Sequence, residues 1–136
     1  IGQHFPFTPI ANPSLLVEGG SFGIRPDEIQ SNGDEARDNG AEIIVLLSHN
    51  GFDDDQKLAA DISGIDVILT GHTHDAVPEA VSIGKTLGLS SGSHGKYLGR
   101  IDLKVEGGKV VDEAKIVEKK KTVKTEKKDI KKIQKK

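Results

Sequence analysis

The sequence predicts an α/β fold in which a βαβ unit is followed by β-hairpins. Two short aliphatic runs, residues 42–47 and 66–70, are rich in β-branched side chains, as is typical of strands buried on both faces of a sheet. A helical pattern through residues 53–62 lies between them, and Ser63-Gly64 ends it. Strand, helix and strand within about 30 residues make a βαβ unit, whose crossover is right-handed in nearly all proteins.

Upstream of this unit the sequence predicts an extended opening and one helix. Residues 1–13 hold three of the five prolines, which block helices and strand ladders, so this segment is expected to run extended. It is expected to pack on the core through Phe5, Phe7 and Ile10. A helix is predicted to begin near Pro26, because proline suits the first helical turn, and to end before Asn39-Gly40.

Downstream of Pro78, turn residues separate short strands. Residues 80–83 and 86–89 flank Gly84-Lys85 and form a predicted hairpin. Apolar and charged side chains alternate through residues 97–105, which predicts a strand with one buried face. A second turn at residues 106–109 is predicted to lead into a partner strand.

Composition excludes several classes of protein. The 136 residues leave room for roughly one domain. The longest aliphatic run, residues 43–47, is far shorter than the about 20 residues that a membrane-spanning helix requires. The absence of cysteine excludes disulfide scaffolds, thiolate metal sites and cysteine nucleophiles, so any metal must bind nitrogen and oxygen. The chain has no methionine and begins with Ile1, so we expect a processed form or an excerpt of a longer protein.

Charge divides the sequence into an acidic body, residues 1–114, and a basic tail, residues 115–136. The tail holds eleven lysines against three acidic residues, a net charge of +8, whereas the body carries −10. Because the tail is nearly free of hydrophobic side chains, it is expected to be disordered or a frayed helix. It has no interleaved aromatic residues, so neither a nucleic acid nor a membrane is an expected partner.

Three histidines follow the two buried strands, at the end where α/β sheets bind ligands. His49 comes after the first strand, and His72 and His74 come after the second. In an extended loop His72 and His74 would point to different sides and could serve two metal ions about 4 Å apart. Gly71 would permit close backbone approach, and Asp75 could support a ligand histidine. Spacing alone fits loop histidines with no ligand role equally well.

The acidic cluster at residues 53–55 has two interpretations. Three adjacent carboxylates resemble an oxygen-rich ion site. They also stand at the predicted start of a helix, where an aspartate commonly caps the free backbone N–H groups. Of the two, the helix N-cap is the preferred interpretation.

Several motifs together resemble a known family. Residues 47–51 (LSHNG), 71–75 (GHTHD) and 95–103 (GKYLGRIDL) resemble blocks of the calcineurin-like metallophosphoesterases of the 5'-nucleotidase branch. The opening residues 1–13 (IGQHFPFTPIANP) and residues 21–25 (SFGIR) are similar to the SoxB family of thiosulfohydrolases. The resemblance extends over about residues 1–112.

This resemblance implies a fold and a metal site. The fold is a partial metallophosphoesterase-type sandwich of mixed sheets with outer helices, and residues 1–114 are the C-terminal part of its catalytic domain. His49 and His72 match ligands of one divalent ion, and His74 matches a ligand of the other. The ions are manganese in the first instance, with zinc or iron as alternatives. His94 lies in a loop that family members place near the metals, so it is a candidate catalytic residue, or an exposed loop imidazole.

The resemblance also implies an activity, partners and a compartment. The expected function is a periplasmic thiosulfohydrolase that releases sulfate from a cysteine S-thiosulfonate on a sulfur-carrier protein. A 5'-nucleotidase or cyclic-nucleotide phosphodiesterase shares the same histidines, and an inactive metal-binding remnant is a third alternative. The family's earlier blocks, Asp-x-His, Gly-Asp and Gly-Asn-His-Asp, do not precede Gly71. The N-terminal part of the catalytic domain is therefore expected to complete the site, and this chain alone is expected to be inactive.

Overall fold

The computed structural model describes residues 1–112, so the expected disorder of the tail and the predicted boundary at residue 114 lie outside the described residues. Its strands are β1 (Gly2–Gln3), β2 (Val45–Ser48), β3 (Val67–Thr70), β4 (Val81–Ile83), β5 (Thr86–Leu89), β6 (Lys104–Glu106) and β7 (Lys109–Asp112). Its helices are α1 (Thr8–Ala11), α2 (Pro26–Asp38) and α3 (Phe52–Asp61). The helix predicted near Pro26 and both hairpins are confirmed.

Five of the strands form one mixed sheet in the order β1-β2-β3-β5-β4. Strands β1, β2, β3 and β5 run parallel to one another, and β4 is an antiparallel edge strand paired with β5. Strands β2 and β3 are in register, with Val45 opposite Val67 and Ser48 opposite Thr70. The predicted α/β fold with a βαβ unit is confirmed, and the carboxyl ends of β2 and β3 lie side by side.

The core lies on one face of this sheet. Leu46 and Ile68 are 0% and 1% exposed, and the cluster around them takes residues from both α2 and α3. Its members are Ile29, Ile44, Leu46, Leu58, Ala59, Ile62, Ile65 and Ile68. The two longer helices therefore cover the face to which Leu46 and Ile68 point.

The opposite face of the sheet is partly uncovered. Leu47 and Leu69 lie directly opposite each other on β2 and β3. Their side chains are 58% and 38% exposed, although both strands are interior to the sheet. A sheet interior normally buries such leucines, so this face is suited to a further layer of protein.

The amino ends of β2 and β3 are joined by a polar clamp. Arg37 of α2 forms an ion pair with Asp66, and both side chains are less than one-third exposed. Asp66 also accepts the backbone N–H of Ile44 at 2.7 Å. Arg37 donates to the carbonyls of Glu42 and Gly64 at 2.6 and 3.1 Å, so one guanidinium ties α2 to the starts of both strands.

Two predictions for the opening residues were wrong. Residues 1–13 are not wholly extended, because Pro9 sits in the first turn of α1, where its missing N–H costs nothing. Of the three side chains expected to pack on the core, Ile10 is 84% and Phe7 44% exposed, while Phe5 is half-buried.

The strand predicted over residues 97–105 is reduced to β6, which pairs with β7. No ladder partner lies beside residues 97–103 in the described part of the chain, and alternation alone does not make a strand. None of the helices within residues 1–112 combines the length and the apolar character that crossing a bilayer would demand.

Candidate metal centre

Two loops meet at the carboxyl ends of β2 and β3. The His49 loop is residues 48–51, and the His72 loop is residues 71–75. The backbone N–H of Gly71 donates to the carbonyl of Ser48 at 2.9 Å, which joins the two loops where they leave the sheet. The N–H of His49 donates to the carbonyl of Gln3 at 3.0 Å, so β1 holds it from the other side.

The structure brings His49 and His72 together. Their ring centroids are 5.3 Å apart, and both side chains are exposed. The ring of Phe5 stacks on His72 at 4.3 Å and meets His49 edge-on at 6.0 Å. Phe5 therefore belongs to this site rather than to the core that the sequence predicted for it.

His74 lies in a different pair. Its ring centroid is 5.6 Å from that of His94, in an edge-to-face arrangement. The His94 ring also makes a 2.7 Å hydrogen bond with the hydroxyl of Ser93. His72 and His74 thus pair with different rings, His72 with Phe5 and His49, and His74 with His94.

The backbone at these histidines is not the extended one that the sequence predicted. His72 and His74 have φ of 83° and 59°, and His94 has φ of 59°, so none of them is extended. These are the non-glycine residues with positive φ in the described part of the chain. Such backbone costs about 1 to 3 kcal/mol per residue and clusters at functional sites.

Thr73 links the two loops, a contact that the sequence reasoning missed. Its hydroxyl accepts the N–H of Phe52 at 3.1 Å and donates to the carboxylate of Asp75. Asp75 was predicted to support a ligand histidine, but its carboxylate instead bonds Thr73. Thr73 also packs close to Gly51, whose replacement by alanine would place Cβ 2.8 Å from the threonine methyl.

The acidic cluster does not cap the helix, so the preferred interpretation was wrong. Gly51 is the N-cap of α3 and no side chain caps it. Asp53 is exposed, whereas Asp55 is 3% exposed and bonds Ser48 and Asn50 of the His49 loop. A signal was present in the sequence, because Asp55 falls at the apolar spacing of the core residues Leu58, Ala59 and Ile62.

The chemistry of His49 and His72 fits a metal ion. When two imidazoles bind the same ion through nitrogen at about 2.1 Å, their ring centroids lie about 5 Å apart. This is close to the separation of the His49 and His72 rings. Imidazole nitrogen suits zinc and iron, while manganese prefers oxygen. Within residues 1–112, no three histidine, aspartate or glutamate side chains come close enough to hold an ion, so a full site needs further donors.

Comparisons with known proteins point in one direction. No family model matches the chain. An uncharacterized metallophosphoesterase of Bacillus subtilis, YunD, is 41% identical over 66 residues, which are 48% of this chain and 14% of the relative. A snake venom 5'-nucleotidase of Crotalus adamanteus is 33% identical over 75 residues, which are 54% of this chain and 12% of the enzyme.

A solved structure agrees over a longer span. A sulfate thiohydrolase SoxB of Thermus thermophilus, in complex with glycerol, aligns with a TM-score of 0.79 and 39% identity. The alignment covers 87% of this chain and 22% of the thiohydrolase. The chain thus spans less than a quarter of the length of these three relatives. The likeness confirms the partial metallophosphoesterase-type fold, and the named relatives are hydrolases of that superfamily.

Proposed function

Because the chain corresponds to one segment of the SoxB-like metallophosphoesterases of the 5'-nucleotidase branch, we propose that it supplies histidine ligands to a divalent metal centre for hydrolysis. The pairing of His49 with His72 carries this proposal. Both follow neighbouring parallel strands, so the sheet fixes their separation. His74 is proposed as a ligand of a second ion, because its ring turns away toward His94.

The chain's own residues hold and orient the imidazoles. Phe5 covers one side of the His72 ring and limits both the approach of water and the choice of rotamer. The ions, when bound, would polarise the substrate oxygens and generate a nucleophile from water at neutral pH. The proposed catalytic role of His94 is to contact an anionic group of the substrate, and its exposure beside His74 supports this role.

The identity of the ions is part of the proposal. The family resemblance favours a manganese pair, whereas two imidazoles alone favour zinc or iron. Manganese would require carboxylate donors beyond the histidines of residues 1–112. We therefore expect this chain by itself to bind zinc more tightly than manganese.

The first candidate substrate is a cysteine S-thiosulfonate on a sulfur-carrier protein, from which hydrolysis releases sulfate. It is supported by the likeness to the Thermus thermophilus thiohydrolase, which covers more of this chain than the other two relatives. The second candidate is a nucleoside monophosphate, supported by the likeness to the venom 5'-nucleotidase. With the first candidate substrate, we also propose a periplasmic location for the protein.

A further protein layer is the proposed partner of this chain. The exposed Leu47 and Leu69 form an apolar patch in the middle of the sheet, and burying such a patch would stabilise a complex. The N-terminal part of a metallophosphoesterase catalytic domain is proposed to pack there and to add the missing ligands. This chain alone is then expected to be inactive.

Metal titration tests the centre. Calorimetry with zinc and manganese should give saturable binding to the wild-type chain and at least a tenfold weaker affinity in His49→Ala and His72→Ala. His4→Ala is the control, because within residues 1–112 the His4 ring makes only local hydrogen bonds, with the carbonyl of Phe5 and the hydroxyl of Thr8. Equal affinities in wild type and both site variants would contradict the proposal.

Substrate choice needs a full-length homologue that carries the same opening residues 1–13. It should release sulfate from a thiosulfonate-bearing carrier peptide in the presence of divalent metal. Turnover of a nucleoside monophosphate without sulfate release would favour the 5'-nucleotidase instead. Robust hydrolysis of either substrate by the metal-loaded chain alone would contradict its expected inactivity.

A further inference from the structure

A buried carboxylate lies behind the His49 loop and touches no cation. Asp55 is 3% exposed and projects from the first turn of α3. Its Oδ1 accepts the hydroxyl of Ser48 at 2.6 Å and the side-chain amide of Asn50 at 2.9 Å. The Ser48 oxygen in turn accepts the backbone N–H of Asn50 at 3.2 Å. One oxygen therefore holds both chain neighbours of His49.

This arrangement is costly for the fold. No cationic group within residues 1–112 pairs with Asp55, and its Oδ2 and the Oδ1 of Asn50 have no hydrogen-bond partner there. Burying a carboxylate with part of its hydrogen-bonding capacity unused is unfavourable. An apolar residue at this position would continue the buried face of α3 without that cost. Core packing therefore does not account for an acid at residue 55.

What the carboxylate secures is the backbone around His49. The imidazole is exposed, and its ring lies beside the rings of Phe5 and His72 and against the backbone of Gly71, contacts that leave its own side chain weakly fixed. The backbone on either side is fixed instead, through Ser48 and Asn50, to a helix that belongs to the core. Rigid support of this kind keeps a ligand ready for its ion.

We propose that Asp55 is a positioning residue for His49: through Ser48 and Asn50 it sets the backbone from which the imidazole reaches the metal. The role of Asp55 in metal binding rests on the metal centre proposed above. Its effect on the position of His49 can be tested without metal. Asp53 supplies the matched control, because it is an exposed aspartate in the same helical turn.

The experiment compares Asp55→Leu, Asp55→Asn and Asp53→Asn with the wild-type chain by nuclear magnetic resonance. Leucine removes the acceptor and fills the space, whereas asparagine keeps an acceptor oxygen. Asp55→Leu should lose the nuclear Overhauser contacts from the His49 ring to Phe5 and His72. In Asp55→Leu the backbone N–H of Asn50 should exchange with solvent at least tenfold faster than in the wild-type chain. Asp55→Asn should restore both signals, and Asp53→Asn should leave them unchanged.

A zinc titration of the same variants supplies the second readout. Affinity should fall about 10 to 100-fold in Asp55→Leu and return to within about threefold of wild type in Asp55→Asn. If Asp55→Leu does not fold, Ser48→Ala cuts the same linkage from the loop side and should give the same losses. The proposal would be overturned if folded Asp55→Leu or Ser48→Ala kept the ring contacts of His49 and the exchange rate of the Asn50 backbone N–H found in the wild-type chain. A wild-type chain that binds no zinc would contradict the metal centre, while the resonance data would still decide the role of Asp55.

Discussion

The two ends of β2 and β3 are built differently, although the same pair of strands forms both. At the amino end, Arg37 and Asp66 form an ion pair, and their remaining hydrogen bonds go to backbone groups. At the carboxyl end, His49 and His72 stand exposed above the buried carboxylate of Asp55. The polar side chains at the amino end have hydrogen-bond partners, whereas several polar atoms at the carboxyl end have none within residues 1–112.

The backbone shows the same contrast. At the amino end positive φ occurs at the glycines Gly40 and Gly64, whereas the carboxyl end and the adjoining loop have positive φ at His72, His74 and His94. The carboxyl-end side chains Asn50 and Asp55 also retain oxygens without a partner among residues 1–112. Strain and unused polar atoms are tolerated where a ligand can compensate for them. The amino end of β2 and β3 thus stabilises the sheet, whereas the carboxyl end carries the candidate metal ligands.

Among the polar contacts, the largest effect on stability is expected at the amino end. Arg37→Met should lower the free energy of unfolding by about 1 to 3 kcal/mol, because it leaves the half-buried Asp66 without its cation. Zinc affinity should stay unchanged, since the clamp is at the other end of the strands. Urea denaturation measures the first quantity and calorimetry the second.

Arg25→Met is the control for that variant. Arg25 pairs with Glu28 on the exposed surface of α2, so its loss should change stability by less than about 0.5 kcal/mol. A weaker zinc affinity in Arg37→Met would show that the two ends of the strands are coupled, and would contradict their independence.

A smaller effect is expected at the link between the two histidine loops. Thr73→Val removes the hydroxyl that accepts the N–H of Phe52, so His72 and His74 should be held less firmly. Zinc affinity should fall about tenfold, as for other groups that support ligands. Thr70→Val is the control, because the Thr70 hydroxyl has no partner within the part of the chain that the structure describes. Equal zinc affinities in Thr73→Val and Thr70→Val would show that Thr73 does not support the metal ligands.

The smallest effect is expected on the uncovered face. Replacing both Leu47 and Leu69 with glutamine should change the stability of this chain by less than about 1 kcal/mol, because these side chains are already 58% and 38% exposed. Leu46→Ala, on the covered face of the same strand, should cost about 2 to 5 kcal/mol. Thermal unfolding of both variants is the measurement. Comparable losses would mean that the face is not free for a partner layer.

Hydrophobic pattern was sufficient to predict the central elements. The aliphatic runs gave β2 and β3, and turn residues gave the hairpins, because both signals are local. The opening was predicted less well because Pro9 is compatible with the first turn of a helix as well as with extended backbone. Residues 97–103 were predicted less well because a strand exists only where another strand pairs with it. Alternation of side chains does not reveal whether such a partner is present.

The site was predicted in part for a related reason. Position at the strand ends was enough to place His49 beside His72, because parallel strands in register bring their ends together. The roles of Asp55 and Thr73 depend on contacts between a helix and a loop or between two loops, which no local pattern encodes. His74 and His94 both have left-handed backbone, which is uncommon even for histidine, so residue type alone did not predict their pairing.

A crystal structure of the zinc-loaded chain, phased or checked at the zinc absorption edge, tests the metal assignment most directly. One anomalous peak should lie within about 2.1 Å of a ring nitrogen of both His49 and His72. An ion bound elsewhere, or the two imidazoles turned to different sides with no density between them, would contradict it.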